Sequence, residues 1–442
     1  MSWERVKLGE VCIIEKGKTG ILKAVAGEFP LVVTAEERKS HNEFQFDDDA
    51  VIIPLVSGTG HGHASIKRLH FQSGKFALGS ILSAVIPKDK SVLNAKYLFR
   101  FLNLNKEREL VDRMKGMANV TLPVKEIAQI EIPLPSLKEQ EKFVEKYDLL
   151  ETDSEEITKE LTHQLTLVKK LRQQLLQDAV QGKLVEQNQS RKPSGEPATE
   201  LLKKIKAEKE KLIAEKKLKK EKELPPIKPE EIPFEIPENW VWCRLGEISD
   251  FISGSNFDST DFTKGFGAKC IKITNAGVGE LIETEDVLPP EFIHKFKAYL
   301  VFEGDLILAL TRPYIADGLK ISKCPASYNS SLLNQRVAVI RTKNYLNQDY
   351  VYQFLRSDYV LKIYKSMFEG KGQQPNLKKE DVTELPIPLP PFAEQNRIVQ
   401  KLDELMRYCN DLEASIKQSQ QQNEKLLQQV LREALRGESV GV

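Results

Sequence analysis

The chain has 442 residues, of which 40% are apolar and 29% charged, a composition able to bury a core and a length that suggests about three domains. The formal net charge is only +1, which excludes a globally basic polyanion binder. Any contact with nucleic acid must come from local basic patches. The opening MSWERVKLGE has no apolar signal core and no later run approaches a membrane span, so a soluble, cytoplasmic protein without membrane contact is expected.

In chain order, Trp3 and Lys7-Leu-Gly-Glu10 open a body of mixed character. It carries the glycine-rich loops EKGKTG, SGTGHGHASIKR and MKGMANVT, with a strand expected over Val51–Leu55 and a helix over Tyr97–Asn103. The body ends at Ile132-Pro-Leu-Pro135, whose prolines fix the start of a long helix. Alternating spacings of three and four run through Phe143, Tyr147, Leu150, Ser154, Ile157, Leu161, Gln164, Val168, Leu171 and Leu175, the pattern of a coiled-coil seam. Gly182 sits where a glycine stop belongs.

Residues 186–235 form a linker. A turn-rich stretch is followed by a helix-compatible lysine run between Lys203 and Lys222, then by proline-stiffened sequence. The run reads most simply as a solvated helix face, with non-specific phosphate contact as the alternative. A second body follows, with Trp240, Arg244-Leu-Gly-Glu247, strands over Leu306–Leu310 and Arg336–Ile340, and a helix over Tyr350–Arg356. Its loops are SGSNF, KITNAG, TRPY, SSLLNQR and GKGQQPN. Ile387-Pro-Leu-Pro390 opens a second long helix, with a seam through Ile398, Leu402, Leu405, Cys409, Leu412, Ile416, Ser419, Asn423, Leu426 and Val430 and a stop at Gly437.

The second half repeats the first. IPLPSLKEQEKFVEKYDLL from Ile132 matches IPLPPFAEQNRIVQKLDEL from Ile387, 255 residues later, and Leu176, Ala179 and Gly182 match Leu431, Ala434 and Gly437 at the same offset. The heads match at an offset of only 237 (Trp3 to Trp240), so the second body carries an early insertion. Tails match closely while bodies diverge. The fold expected is α+β: mixed α/β bodies at 1–135 and 236–390, long helices at 136–185 and 391–437, and an internal pseudo-twofold repeat. Each helix is a rod of roughly 65–70 Å. Two seams of equal length favour pairing as an antiparallel coiled coil through Leu150, Ile157, Leu161, Val168, Leu171 and Leu175 against Leu405, Leu412, Ile416, Leu426 and Val430. The alternative is two helices that each pack on their own body.

The loops supply groups that suit base edges and phosphates. Arginine and lysine pair with guanine, asparagine and glutamine with adenine, serine and threonine with either, while glycine lets backbone approach phosphate. The candidates are Lys16, Lys18, Ser57, Thr59, His61, Lys67, Arg68, Lys115 and Asn119 in the first body. In the second they are Ser253, Asn256, Lys272, Asn275, Thr311, Arg312, Tyr314, Asn334, Gln335, Arg336, Lys371, Gln373, Gln374 and Asn376. A plain surface turn is the blander reading of any one of these loops.

No catalytic motif survives inspection. Gly17-Lys-Thr19 would need glycine at position 12 to complete a phosphate loop and finds Cys12, and Ser57–His63 does not complete G-x-G-x-x-G. His61 and His63 lack a third metal ligand at a useful spacing. There is no G-x-S-x-G, no H-E-x-x-H and no N/D-P-P-Y/F. Cys12, Cys243, Cys270, Cys324 and Cys409 are far apart, which argues for reduced thiols rather than a metal or disulfide framework.

The tails IPLPSLKEQEKFVEK and IPLPPFAEQNRIVQKLDEL, the helix ends QLLQDAVQGKLV and QVLREALRGESV, the heads KLGEV and RLGEI, and the loop GKGQQPNL resemble the specificity subunit of type I restriction–modification systems. The resemblance covers essentially the whole chain. It implies a non-catalytic DNA-binding subunit whose two target-recognition domains each read half of a split duplex target, with the helices setting the gap. It also implies two methyltransferase (modification) subunits as partners and, through them, restriction subunits. S-adenosylmethionine, ATP and magnesium would sit on those partners, and no cofactor or metal on this chain. The first body departs from the pattern, because MKGMANVTL lacks the Gln-Pro-Asn of GKGQQPNL. A coiled-coil scaffold joining two protein-binding domains, without DNA contact, is the competing reading.

Overall fold

The computed structural model describes residues 3–58, 63–117, 119–185, 196–216, 222–316, 318–370 and 374–435. The chain forms two compact units, one of Met1–Gln164 with Ser415–Val442 and the other of Leu165–Ala414. Each unit is a mixed α/β body together with a part of both long helices.

In the first unit, a four-stranded antiparallel sheet forms from β1 (Cys12–Lys16), β2 (Ala50–Pro54), β3 (His70–Gln72) and β4 (Leu82–Pro87), in the order β1-β4-β2-β3, its two central strands being near-continuous buried apolar runs. A second sheet has a parallel pair at its centre, Leu31 opposite Ala77, flanked by antiparallel strands. The second unit repeats the design with β5 (Ser249–Ser253), β6 (Leu306–Ala309), β7 (Ile321–Lys323) and β8 (Val337–Thr342), in the order β5-β8-β6-β7. The register repeats as well: Val51 faces Val85, and Leu306 faces Ile340. In the second unit's other sheet, the parallel pair is Cys270 opposite Leu332.

These pairings locate the insertion. Leu31 corresponds to Cys270, while Phe46, which faces Phe76, corresponds to Val301, which faces Ser331. The extra residues therefore lie between Ile271 and Leu300. That stretch holds the strand Asp286–Leu288 and the short helix Phe292–Lys295.

The expected helices form as Ala95–Leu104 and Gln348–Leu355, capped by Asn94 and Asn347. Both long helices span 44 residues, Leu137–Val180 and Phe392–Leu435. Gly182 ends the first with φ +71°, a conformation that favours glycine; Gly437 lies outside the described residues. At each long helix start the same joint recurs. Gln140 accepts a hydrogen bond from Asn94 N (2.8 Å) and donates to Pro135 O (2.9 Å) and Val92 O (2.8 Å). Gln395 accepts from Asn347 N (2.9 Å) and donates to Pro390 O (2.9 Å). Tyr97 Oη donates to Pro133 O and Tyr350 Oη to Pro388 O.

Within the first unit the two long helices touch through Asn423, whose amide donates to Ser154 Oγ and O (both 3.0 Å), and through Leu431, which is buried with Phe143, Val144 and Tyr147. Within the second, Arg172 pairs with Glu413 at 2.8 Å, and Leu176 and Ala179 share a core with Ile398 and Leu402. The regular seam needs correction. Val168 and Ile416 are buried and Leu150, Leu161, Leu175, Leu405 and Val430 are half-buried, but Ile157, Leu171, Leu412 and Leu426 are 47%, 43%, 50% and 61% exposed. An α-helix drifts by about 20° per heptad against a strict repeat. The buried stripe of the first helix accordingly moves from Phe143 through Ser154 and Leu165 to Leu176, in steps of eleven.

The linker helix Ala198–Ala214 is only half solvated. Ala198, Leu201 and Ile205 enter the second unit's core, while Lys203, Lys204, Lys206 and Lys211 face solvent.

Gln140 and Gln395 are fully buried. Gln140→Ala or Gln395→Ala strands backbone groups of the joint, and each is predicted to destabilise its own unit by about 1–3 kcal/mol. Urea denaturation followed with a probe in each unit checks this; an unchanged midpoint in the altered unit would refute it.

Candidate nucleic-acid interface

At one edge of each four-stranded sheet, backbone hydrogen bonds link the loops in series. In the first unit Gly17 N donates to Leu82 O, Ser80 N to Thr19 O, Leu55 N to Ile81 O, Ser57 N to Val120 O and Leu122 N to Leu55 O, all at 2.9–3.0 Å. In the second, Gly254 N donates to Val337 O, Gln335 N to Ser255 O, Leu310 N to Arg336 O, Arg312 N to Pro375 O and Leu377 N to Leu310 O, at 2.7–3.2 Å. The two sets are equivalent bond for bond. Gly17 and Gly254 are required here, because a Cβ would lie 2.2 Å from Gly79 O and 1.9 Å from Asn334 O.

Val120 and Thr121 thus occupy the place of Pro375 and Asn376 although the first body lacks Gln-Pro-Asn. Val56 bridges Thr121 as Thr311 bridges Asn376. Backbone, not side chain, closes the contact, which is why the sequence does not display it.

In the first unit Lys16, Lys18, Lys67 and Asn119 are exposed, and Gln45 steadies the first loop by accepting from Lys18 N and donating to Lys16 O. Ser57 turns its hydroxyl inward onto His63 O at 2.5 Å. Lys115 pairs with Glu126 and Arg68 with Glu36, both at 2.6 Å; the Arg68 hydrogen bond holds the Glu36 carboxyl below its usual range. Thr59 and His61 lie outside the described residues.

In the second unit Ser253, Asn256, Gln335 and Gln374 are exposed, Tyr314 and Asn334 half-buried. Thr311 Oγ1 donates to Asn376 Oδ1 at 2.9 Å. Two candidates turn inward. Asn275 is fully buried and donates to Ile282 O (2.8 Å) and Thr284 Oγ1 (3.1 Å), so its amide organises the insertion. Lys272 is ion-paired with Asp286 and lies 4.8 Å from the Phe262 ring. Lys371 and Gln373 lie outside the described residues.

Arg312, Arg336 and Gln374 line a cavity of about 550 Å³ with Lys320, which the sequence reading did not single out. In the sequence, the Asp317-Gly318 pair just ahead of it is the one local turn signal. Both arginines have positive φ, +49° and +72°, a conformation sparsely used by side-chain-bearing residues and enriched at functional sites.

No group of three His, Cys, Asp or Glu suited to a metal occurs among the described residues. The five cysteines are buried, and burial pushes the Cys12 and Cys270 thiols up to about 12. No helix among the described residues is long and apolar enough to cross a membrane.

A type I restriction modification DNA specificity domain matches twice, over residues 1–167 and 237–421. The chain belongs to this family. Both bodies thus carry a DNA specificity domain of type I restriction–modification systems. The EcoAI specificity subunit of Escherichia coli is 40% identical over 57% of this chain and 42% of its own length. The EcoEI subunit is 31% identical over the same shares, so the aligned part spans well under half of either relative. The EcoDI specificity subunit is 25% identical over 99% of this chain and 89% of its own. The fold matches the HsdS subunit from Thermoanaerobacter tengcongensis at a TM-score of 0.54 and 17% identity, over 99% of this chain and 97% of that one. A type I restriction–modification structure described by its complex assembly and conformational transition matches at 0.59 and 17% over 99% and 98%.

His70, beside the paired Arg68, accepts a hydrogen bond from Arg38 Nη1 at 3.0 Å. Burial, then the charges of Arg38 and Arg68, push its imidazole down to about 4. The folded state thus binds this proton less readily than the unfolded one, whose histidine titrates near 6.5. The first unit is predicted to keep this contribution above pH 6.5 and to lose it as pH falls toward 4. His70→Gln removes that dependence; denaturation midpoints that track pH identically in both proteins would exclude it.

Proposed function

We propose that the chain reads a bipartite duplex target, one half-site per unit, and scaffolds methyltransferase and, through them, restriction subunits in the cytoplasm. The observation that carries this reading is the equivalent pair of loop series, whose backbone bonds repeat while their side chains differ. A shared frame with divergent side chains suits two readers of different sequences. Phosphate contacts from Lys16, Lys18 and Lys67 would position the first unit, and base contacts would come from the loops. The bodies at 1–135 and 236–390 would serve as target-recognition domains. S-adenosylmethionine, ATP and magnesium would be held by the partners.

The long helices would pair along their length as an antiparallel coiled coil and set the distance between half-sites. The opposed contacts within the first unit support this: Ser154 meets Asn423, and the later Thr162 meets the earlier Gln420. The exposed Leu149, Ile157, Tyr408 and Leu412 offer apolar surface for protein partners. That surface alone would equally suit a scaffold without DNA contact; the loop series favours a DNA reader.

Methylation mapping in cells that hold the partner subunits, with and without this chain, tests the reading. A split motif that depends on the chain is the expected result, and methylation independent of it would sink the proposal. Inserting seven residues into both long helices adds about 10 Å, so the gap between half-sites is expected to lengthen by about three base pairs at 3.4 Å each. A motif whose gap stays the same would exclude the ruler role.

A further inference from the structure

The two loop series differ sharply in charge at equivalent positions. Where the second unit has Arg312, Lys320 and Arg336, the first has Ser57, Ser65 and Ile81, each 255 residues earlier. The equivalence of Arg312 with Ser57 and of Arg336 with Ile81 is fixed by shared backbone bonds: Arg312 N to Pro375 O against Ser57 N to Val120 O, and Leu310 N to Arg336 O against Leu55 N to Ile81 O. Among the described residues, the three cations of this cavity therefore have no counterpart at the equivalent positions of the first unit.

Arg312 and Arg336 are exposed, and no ion pair holds either guanidinium among the described residues. Their backbones are not free to drift: each lies in a loop anchored on both sides, one to Pro375 and one to Leu310. The cavity walls beside them are apolar, contributed by Ile273, Val278 and Ile315. A phosphate, polar on every face, gains nothing from such walls. A base edge in the major groove sets apolar C–H and methyl groups beside hydrogen-bonding atoms, and guanine's O6 and N7 match the arginine fork.

We propose that Arg312 and Arg336 are specificity-determining residues that read guanine in the half-site of the second unit, a device the first unit lacks. This rests on the bipartite reading above. The test is methylation mapping with the complete complex, comparing the native chain with Arg312→Gln, Arg336→Gln and Arg336→Lys.

The expected result is that each Gln variant loses roughly ten- to a hundredfold of the preference for guanine at one position of one half-site. The other half-site and the gap should stay unchanged, and that retained half shows that the variant is folded and assembled. A motif that stays the same at lower occupancy, restored by Arg336→Lys, would identify a phosphate contact and overturn the proposal. A variable half-site without any G·C pair would also overturn it. If a variant abolishes all methylation, duplex competition with the purified full chain decides, alongside its thermal unfolding. A kept guanine preference overturns the assignment; a lost one at an unchanged unfolding midpoint supports it. Absence of any sequence-specific methylation with the native chain would instead strike the bipartite reading itself.

Discussion

A single buried carboxamide joins each body to its long helix. Gln140 and Gln395 take up one amide hydrogen from the N-cap residue of the body's helix and give theirs to the carbonyl of the proline that precedes the long helix. The prolines cannot continue a strand ladder or a helix, so without this group the turn between body and helix would leave backbone atoms unsatisfied in a water-free joint. The tyrosine hydroxyls close the same joint from the other side. The direction in which each long helix leaves its body is thereby fixed, and loops at the sheet edge inherit a fixed position relative to it.

That arrangement explains why the tails match so closely while the bodies diverge. The joint depends on particular side chains, so its residues recur: Pro133, Pro135 and Gln140 at an offset of 255, Asn94 and Tyr97 at 253. The loop series depends on backbone N–H and C=O groups, which every residue carries except proline's missing donor. Gly17, Gly116 and Gly254 are held to type by steric approach. Serine and arginine, or isoleucine and arginine, can therefore occupy the same place without altering the frame.

Much of this was legible in the sequence because it is periodic. The long helices, their proline starts, the stop at Gly182, the strands around Val51 and Leu306 and the early insertion all follow from spacing. What stayed hidden depends on three-dimensional burial. The inward turn of Asn275 and the pairing of Lys272 are set by the insertion that packs around them, and no local pattern separates them from an exposed polar loop. Lys320 entered the cavity because a hairpin folds it there, not because of its neighbours in sequence. Heptad spacing does not follow burial at Ile157, Leu171, Leu412 and Leu426 because an α-helix drifts away from a strict 3.5-residue repeat.

The linker helix carries a consequence for how such a chain could be recombined. Ala198, Leu201 and Ile205 are seated in the core of the second unit, so the helix and its seat must match in shape. A genetic crossover near Trp240 would set a resident helix against a foreign core and leave either gaps or clashes. A crossover ahead of Ala198 would move the helix with its seat. A segment that keeps the helix with its seat therefore begins before the lysine-rich segment and ends at Ile387-Pro-Leu-Pro390, where the joint takes its cap from Asn347.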